Sequence, residues 1–242
     1  TKHLNQILEF DAEARTVCVQ PGMVLDHLNN FLKPHGLFFP VDVSTANRAT
    51  LGGMTGNNSC GSRSIRYGNM VHNVHAIDGL LADGSQVHFK TLHERKLTDE
   101  DPAQTELIRK MLALGDREAA EIAQRFPDLL RRVGGYNIDV LTQQSPNMSH
   151  LLVGSEGTLA FFQRIHLKLQ ALPAHKTLGV CHFPTFYEAM EATQHIVELN
   201  PSAVELVDRT MIDLARNIPI FAGTVDRFVQ GEPQAILLVE FS

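Results

Sequence analysis

The sequence has no tryptophan, and only three of its 242 residues are tyrosine and three cysteine. Cys18, Cys60 and Cys181 stand far apart, form no C-x-x-C pair and leave one thiol over in any pairing scheme. That excludes a disulfide framework and points to a reducing, cytoplasmic setting. A basic excess is also missing: 21 Lys and Arg face 27 Asp and Glu, for a net charge of -6, which argues against nucleic acid as a partner. No apolar run approaches the roughly 20 residues of a membrane helix, and the opening "TKHLNQILEFDAEART" has no signal-peptide core. There is no initiator Met, and "AILLVEFS" runs out without a closing turn, so both ends are expected to be cuts through a longer protein. The sequence also lacks G-x-x-x-x-G-K-[ST], G-x-S-x-G and H-E-x-x-H, which removes the simplest nucleotide-binding and hydrolase readings.

What is abundant is glycine in one place. The stretch "TLGGMTGNNSCGSRSIRYGNM", Thr50 to Met70, holds five glycines, at 52, 53, 56, 61 and 68, in an order that does not make G-x-G-x-x-G. It reads as a long glycine-asparagine loop. Such density marks turns with positive φ or a close approach to the backbone, and the residues alone leave open a packed turn between domains or a ligand wall. Between Asp42 and Asp78 there is no acidic residue, while Arg48, Arg63 and Arg66 fall in the same window as the hydroxyls of Ser44, Thr50, Thr55 and Ser59. An anion is expected to be welcome there.

Around this stretch, "RTVCVQPGM" alternates as a strand and stops at Pro21-Gly22, and "VLDHLNNFLKPHG" has the spacing of a helix. "VHNVHAIDGLLADGSQVHF" predicts a β-hairpin about Ala82–Gly84. Asp101-Pro102 caps a helix expected to stop at Gly115, with a second short helix running to Pro127. From "KTLGVCHF" onward the pattern is strand, helix, strand, helix, strand, which predicts a second domain beginning near residue 175.

In order, "VQPGM", "HGLFFPVDVS", "TLGGMTGNNSCG", "RYGNM", "LLADG", "VGSEGTLAF" and "LKLQALP" resemble the FAD-linked oxidases of the vanillyl-alcohol oxidase type, with a PCMH-type FAD-binding domain. Within them the likeness is to the D-2-hydroxyacid dehydrogenase branch, which acts on glycolate, D-lactate or D-2-hydroxyglutarate. It covers nearly the whole chain. "RRVGGYNID" is similar to large bacterial D-2-hydroxyglutarate dehydrogenases.

The resemblance implies an α+β fold. Residues 1–172 would be the second subdomain of the FAD-binding domain, with a helical insertion at about 98–133, and 175–242 the start of a ferredoxin-like cap. It implies FAD lying beside Pro40, Asp42, Ser44, Thr50, Leu51, Gly52, Gly53, Asn57 and Gly61, with Gly157 and Thr158 near the adenosine end. It further implies a small hydroxyacid substrate, an iron–sulfur cluster and a divalent metal in parts of the protein outside this chain, and peripheral membrane association through the full-length protein. The chain alone is expected to be inactive. The catalytic base and the electron acceptor are not legible.

The competing readings are an alditol or sugar-acid oxidase on the same FAD wall, and a non-catalytic nucleotide-binding or assembly domain. No metal ligands are assigned: His72 and His75 of the H-x-x-H are expected to pack or face solvent, and Cys60 to be a small packed thiol. Glu205 and Asp208 are expected either to cap a helix or to touch substrate.

Overall fold

The computed structural model describes residues 3–97, 101–129 and 131–242. Parts of the expected insertion, 98–100 and 130, lie outside the described residues. The fold is α+β. The chain divides into two compact units: one runs to Gly61 and resumes over Tyr67–Leu172, and the other comprises Ser62–Arg66 and Pro173–Ser242. The short return of 62–66 to the second unit has no counterpart in the contiguous division read from sequence.

The first unit opens with β1 (Ile7–Asp11), β2 (Thr16–Val19), α1 (Leu25–Leu32) and the short β3 (Leu37–Phe38). α2 (Leu51–Asn57) follows; α3 (Ser64–Tyr67) falls almost wholly in the 62–66 segment of the second unit; the first unit resumes with α4 (Met70–Asn73), β4 (Val74–Leu80), β5 (Gln86–Phe89) and α5 (Pro102–Arg125). It closes with β6 (Phe161–Lys168) and β7 (Gln170–Ala171).

Five strands form one antiparallel sheet in the order β1-β2-β6-β4-β5. Alternation sets its two faces. Val17, Val19, Ile77, Val87, Phe89, Ile165 and Leu167 point to a single core that also takes Leu25, Leu28 and Leu32 of α1, Leu51 and Met54 of α2, and Ile108 and Leu112 of α5. The opposite face carries Cys18, Asp78, His88 and His166.

Two expectations fail here for packing reasons. Residues 51–57 are a helix, not a loop: Thr50 Oγ1 accepts the Gly53 amide, Asn58 closes the far end at φ +49°, and the buried Leu51 and Met54 anchor one side. The burial of that side outweighs the propensity cost of three glycines. Gly115 does not stop its helix either, since α5 runs unbroken for 24 residues from the Asp101 cap. A Cβ at Gly115 would stand 2.4 Å from Leu141 Cβ, so this glycine lets the 138–142 segment lie against the helix.

The second unit contains β8 (Thr177–Phe183), α6 (Phe186–Ile196), β9 (Ala203–Asp208), α7 (Arg209–Asn217), α8 (Pro219–Phe228) and β10 (Ala235–Phe241). β10 lies between β8 and β9, antiparallel to both. Ala235, Leu237 and Val239 pack on Ala189 of α6, while Ile236 packs on Ile212 of α7 and Val225 of α8. Helices on both faces explain why "AILLV" is continuously apolar rather than alternating. Among the described residues no helix is long and apolar enough to cross a membrane.

Candidate functional site

α2 has two unlike sides. Leu51, Met54 and Thr55 are buried, and the Thr55 hydroxyl donates to Leu51 O at 2.7 Å. Gly53, Gly56 and Asn57, spaced i, i+3, i+4, share the other side. They line a groove of about 570 Å³ together with Pro21, Thr50, Gly52, Glu156, Gly157 and the chain at Ala160–Phe162. All of it lies within the first unit.

The 154–158 turn is clamped to the end of α2 by two backbone bonds: Gly154 N donates to Thr55 O and Glu156 N to Gly56 O, each at 2.9 Å. Gly157 sits at φ +78°, a conformation that leaves glycine the favoured residue.

The glycines do not all serve the groove. A Cβ at Gly52 would stand 2.5 Å from Pro21 Cβ and 2.7 Å from Pro21 O, and one at Gly61 about 2.0 Å from Asp42 O. Those two glycines permit close chain packing. At Gly53 an added Cβ meets only Thr50 Oγ1, at 3.2 Å, and at Gly157 it meets nothing within 4 Å. These two open onto groove space that side chains would occupy.

The structure therefore gathers Thr50, Gly52, Gly53, Asn57 and Gly157 of the expected site residues, and adds Pro21, Gly56, Glu156, Ala160, Phe161 and Phe162. Pro40 and Leu51 are buried, and Ser44 lies in a turn whose following residues, Ala46 and Ala49, accept amides of α1. Asp42 is held against Gly61. The Thr158 hydroxyl is committed to Ser155 O at 2.5 Å and Tyr136 Oη at 2.8 Å. None of these six lines the groove.

The acid-free window is a property of sequence, not of space, because Glu156 lines the groove from 99 residues beyond Asn57. Two of the three arginines of that window have partners in the second unit. Arg63 forks onto Glu240 at 3.1 and 3.2 Å, and Arg66 donates to Ser202 Oγ at 3.2 Å, both within the second unit.

Among the remaining candidates, His72 Nδ1 accepts the Asn69 amide at 3.0 Å as part of the α4 cap, and His75 is exposed on β4. Asp208 accepts the Met211 amide at 2.8 Å and so caps α7, while Glu205 is exposed. Cys60 is half-buried.

Residues 1–90 match the FAD binding domain family, and residues 172–242 match the C-terminal domain of the FAD linked oxidases. Both matches are to families of FAD-dependent proteins. Its relatives include D-2-hydroxyglutarate dehydrogenases of Haemophilus influenzae, 34% identical, and Escherichia coli, 30% identical, each match covering all of this chain and 25% of the relative. A probable mitochondrial D-lactate dehydrogenase of Danio rerio is 29% identical over 88% of this chain and 34% of its own length. The chain thus spans about a quarter of the length of these D-2-hydroxyglutarate dehydrogenases. Among solved structures, alkyldihydroxyacetonephosphate synthase superposes over the whole chain and 37% of its own, with a TM-score of 0.67 at 18% identity, a likeness of fold alone.

Proposed function

We propose that this chain supplies one wall of the FAD site of a dehydrogenase that oxidises a D-2-hydroxyacid to the 2-oxoacid. The observation that carries the reading is the bare side of α2 facing the Gly157 turn. At Gly157, whose Cβ direction is open, and at Gly53, where an added Cβ would meet only the Thr50 hydroxyl, a flat ring or a ribose-phosphate chain can approach the backbone directly. The residues present fit FAD in this respect: there is space a Cβ would fill, an exposed carboxamide at Asn57 and apolar walls from Ala160 and Phe162. When bound, FAD supplies the two-electron acceptor for oxidation of a hydroxyl-bearing carbon.

The chain's own residues position and shield. Thr50 holds the first turn of α2 rigid through its bond to Gly53 N at 3.3 Å, and the bonds from Gly154 and Glu156 fix the opposite rim. Glu156 disfavours a phosphate beside it and favours a partner that donates hydrogen bonds, such as ribose hydroxyls. The site within the groove, the hydroxyacid substrate and the assignment of the two units as FAD-binding and cap segments all belong to this proposal. The relatives named above support the hydroxyacid class.

The test is a panel of D- and L-2-hydroxyacids and alditols given to the purified full-length protein with a dye as electron acceptor. Reduction of the dye with D-2-hydroxyacids alone supports the assignment. Turnover of alditols, or none with any hydroxyacid by a flavin-loaded protein, contradicts it.

A further inference from the structure

The outer face of the first unit's sheet carries a polar row that the flavin reading does not use. Asp78 on β4 is directly paired with His88 on β5, and His166 on β6 is paired with Ala76, which places its ring diagonally across from Asp78. Cys18 on β2 is paired with His166 in turn. One carboxylate is thereby shared by two imidazoles: His88 Nδ1 meets Asp78 Oδ1, and His166 Nε2 lies 3.2 Å from Asp78 Oδ2. The two rings stand 6.0 Å apart and almost perpendicular, at 84°. Their ligand atoms and the carboxylate all fall within 4.8 Å of one another.

We propose that Asp78, His88 and His166 form a binding site for a divalent cation of borderline softness, with Zn²⁺ the best match. Zinc bonds to imidazole nitrogen and carboxylate oxygen are about 2.0–2.2 Å, so neighbouring ligands of a tetrahedral ion sit about 3.3 Å apart, close to the spacing between His166 and Asp78. Two nitrogens and one oxygen suit zinc, nickel or copper better than calcium or magnesium, which take oxygen alone. Three strands of one hydrogen-bonded sheet hold the set, so its geometry is fixed before any ion arrives. Burial favours the site too: the Asp78 and His166 side chains are 24% and 23% exposed, enough for an ion to enter and too little for water to screen it fully.

The fourth position opens outward. Asp78 and His88 line a cavity of about 760 Å³ with Gln86, Gln104 and Gln163, which offers room for a metal-bound water and polar partners for it. Cys18, with Sγ 3.7 Å from His166 Nε2 and only 2% exposed, lies away from that opening.

The test compares chelator-stripped full-length protein with its His88→Ala and Asp78→Asn variants, measuring zinc per chain after dialysis at micromolar Zn²⁺ and visible absorption with Co²⁺ in its place. His88 is 43% exposed on an edge strand, so its replacement leaves the sheet intact, and circular dichroism of the metal-free proteins checks this. The proposal expects each variant to hold one zinc fewer per chain than the parent, to bind Zn²⁺ at least thirtyfold more weakly at that site, and to lose a matching part of the cobalt spectrum. Equal zinc stoichiometry and equal cobalt spectra in the parent and both folded variants overturn it, and leave the trio as a hydrogen-bonded cluster only.

Discussion

Gly52 and Gly53 are neighbours with opposite reasons for being glycine, and substituting each in turn separates the groove from the fold. At Gly52 the obstacle is immobile: an alanine Cβ would press to 2.5 Å on the Pro21 ring and 2.7 Å on the Pro21 carbonyl, which already accepts the Gly52 amide at 2.8 Å. Overpacking of this kind costs about 1–3 kcal/mol, against a gain of up to about 1 kcal/mol from removing a helical glycine. Gly52→Ala is therefore expected to lose about 1–2 kcal/mol and to lower the Tm of the transition that unfolds this unit.

At Gly53 the only obstacle is the Thr50 hydroxyl at 3.2 Å. Gly53→Leu risks at most that cap, worth about 1 kcal/mol, and regains about as much in helix propensity, so the fold should be nearly unaffected. The leucine side chain instead fills the groove. If FAD must then overpack by about 1–3 kcal/mol, its Kd rises about fivefold to more than a hundredfold. Both variants are made in the full-length protein, with Tm read by calorimetry and flavin affinity by quenching of FAD fluorescence. Unchanged Tm with unchanged flavin affinity in Gly53→Leu would refute the reasoning, because it would mean that nothing occupies the space in front of that backbone.

Gly115→Ala, which in an exposed helix would stabilise by about 1 kcal/mol, should here lower Tm, because the new Cβ lands on Leu141 at 2.4 Å; a rise in Tm would show that the 138–142 segment yields. Asp101→Ala removes an Oδ1 that accepts the amides of Ala103 and Gln104 at 3.0 and 3.2 Å, and calorimetry should show a loss of about 1 kcal/mol. Burial, against the pull of the Val74 carbonyl, lowers the His150 pKa from 6.5 to about 4, so the unfolded chain binds a proton there before the folded one does. Stability from this group is fully present above about pH 6.5 and is lost as pH falls towards about 4, a change of about 3 kcal/mol. Denaturant melts at the two ends of that window should show the parent losing about that much more than His150→Gln, and equal losses would reject the buried neutral imidazole.

Much of the first unit is legible where local signals and burial agree. The strand before Pro21-Gly22, the helix of Leu25, Leu28 and Leu32, the hairpin about Ala82–Gly84 and the Asp101 cap all appear as read. Local reasoning fails where a distant contact decides. α2 forms because Leu51 and Met54 reach the core, and α5 passes Gly115 because Leu141 presses there. α8 follows α7 through Pro219 at its first turn, a start signal that the sequence carries and that a plain strand-helix alternation leaves out.

The groove divides in the same way. Thr50, Gly52, Gly53 and Asn57 belong to one motif and Gly157 to a second; Pro21, Gly56, Glu156, Ala160 and Phe161 stand inside the same family motifs without a local signal that marks them as lining, and Phe162 lies one residue beyond. Asp78, His88 and His166 had no local spacing to betray them, since β6 joins the sheet between β2 and β4 from far along the chain.

The central claim, that the bare side of α2 and the Gly157 turn hold FAD, is tested most directly by amide hydrogen exchange on the full-length protein with and without the cofactor. The account predicts added protection with FAD concentrated in peptides covering residues 50–58 and 154–162. Protection confined to other parts of the protein, with these two segments exchanging at the same rate in both states, would contradict it.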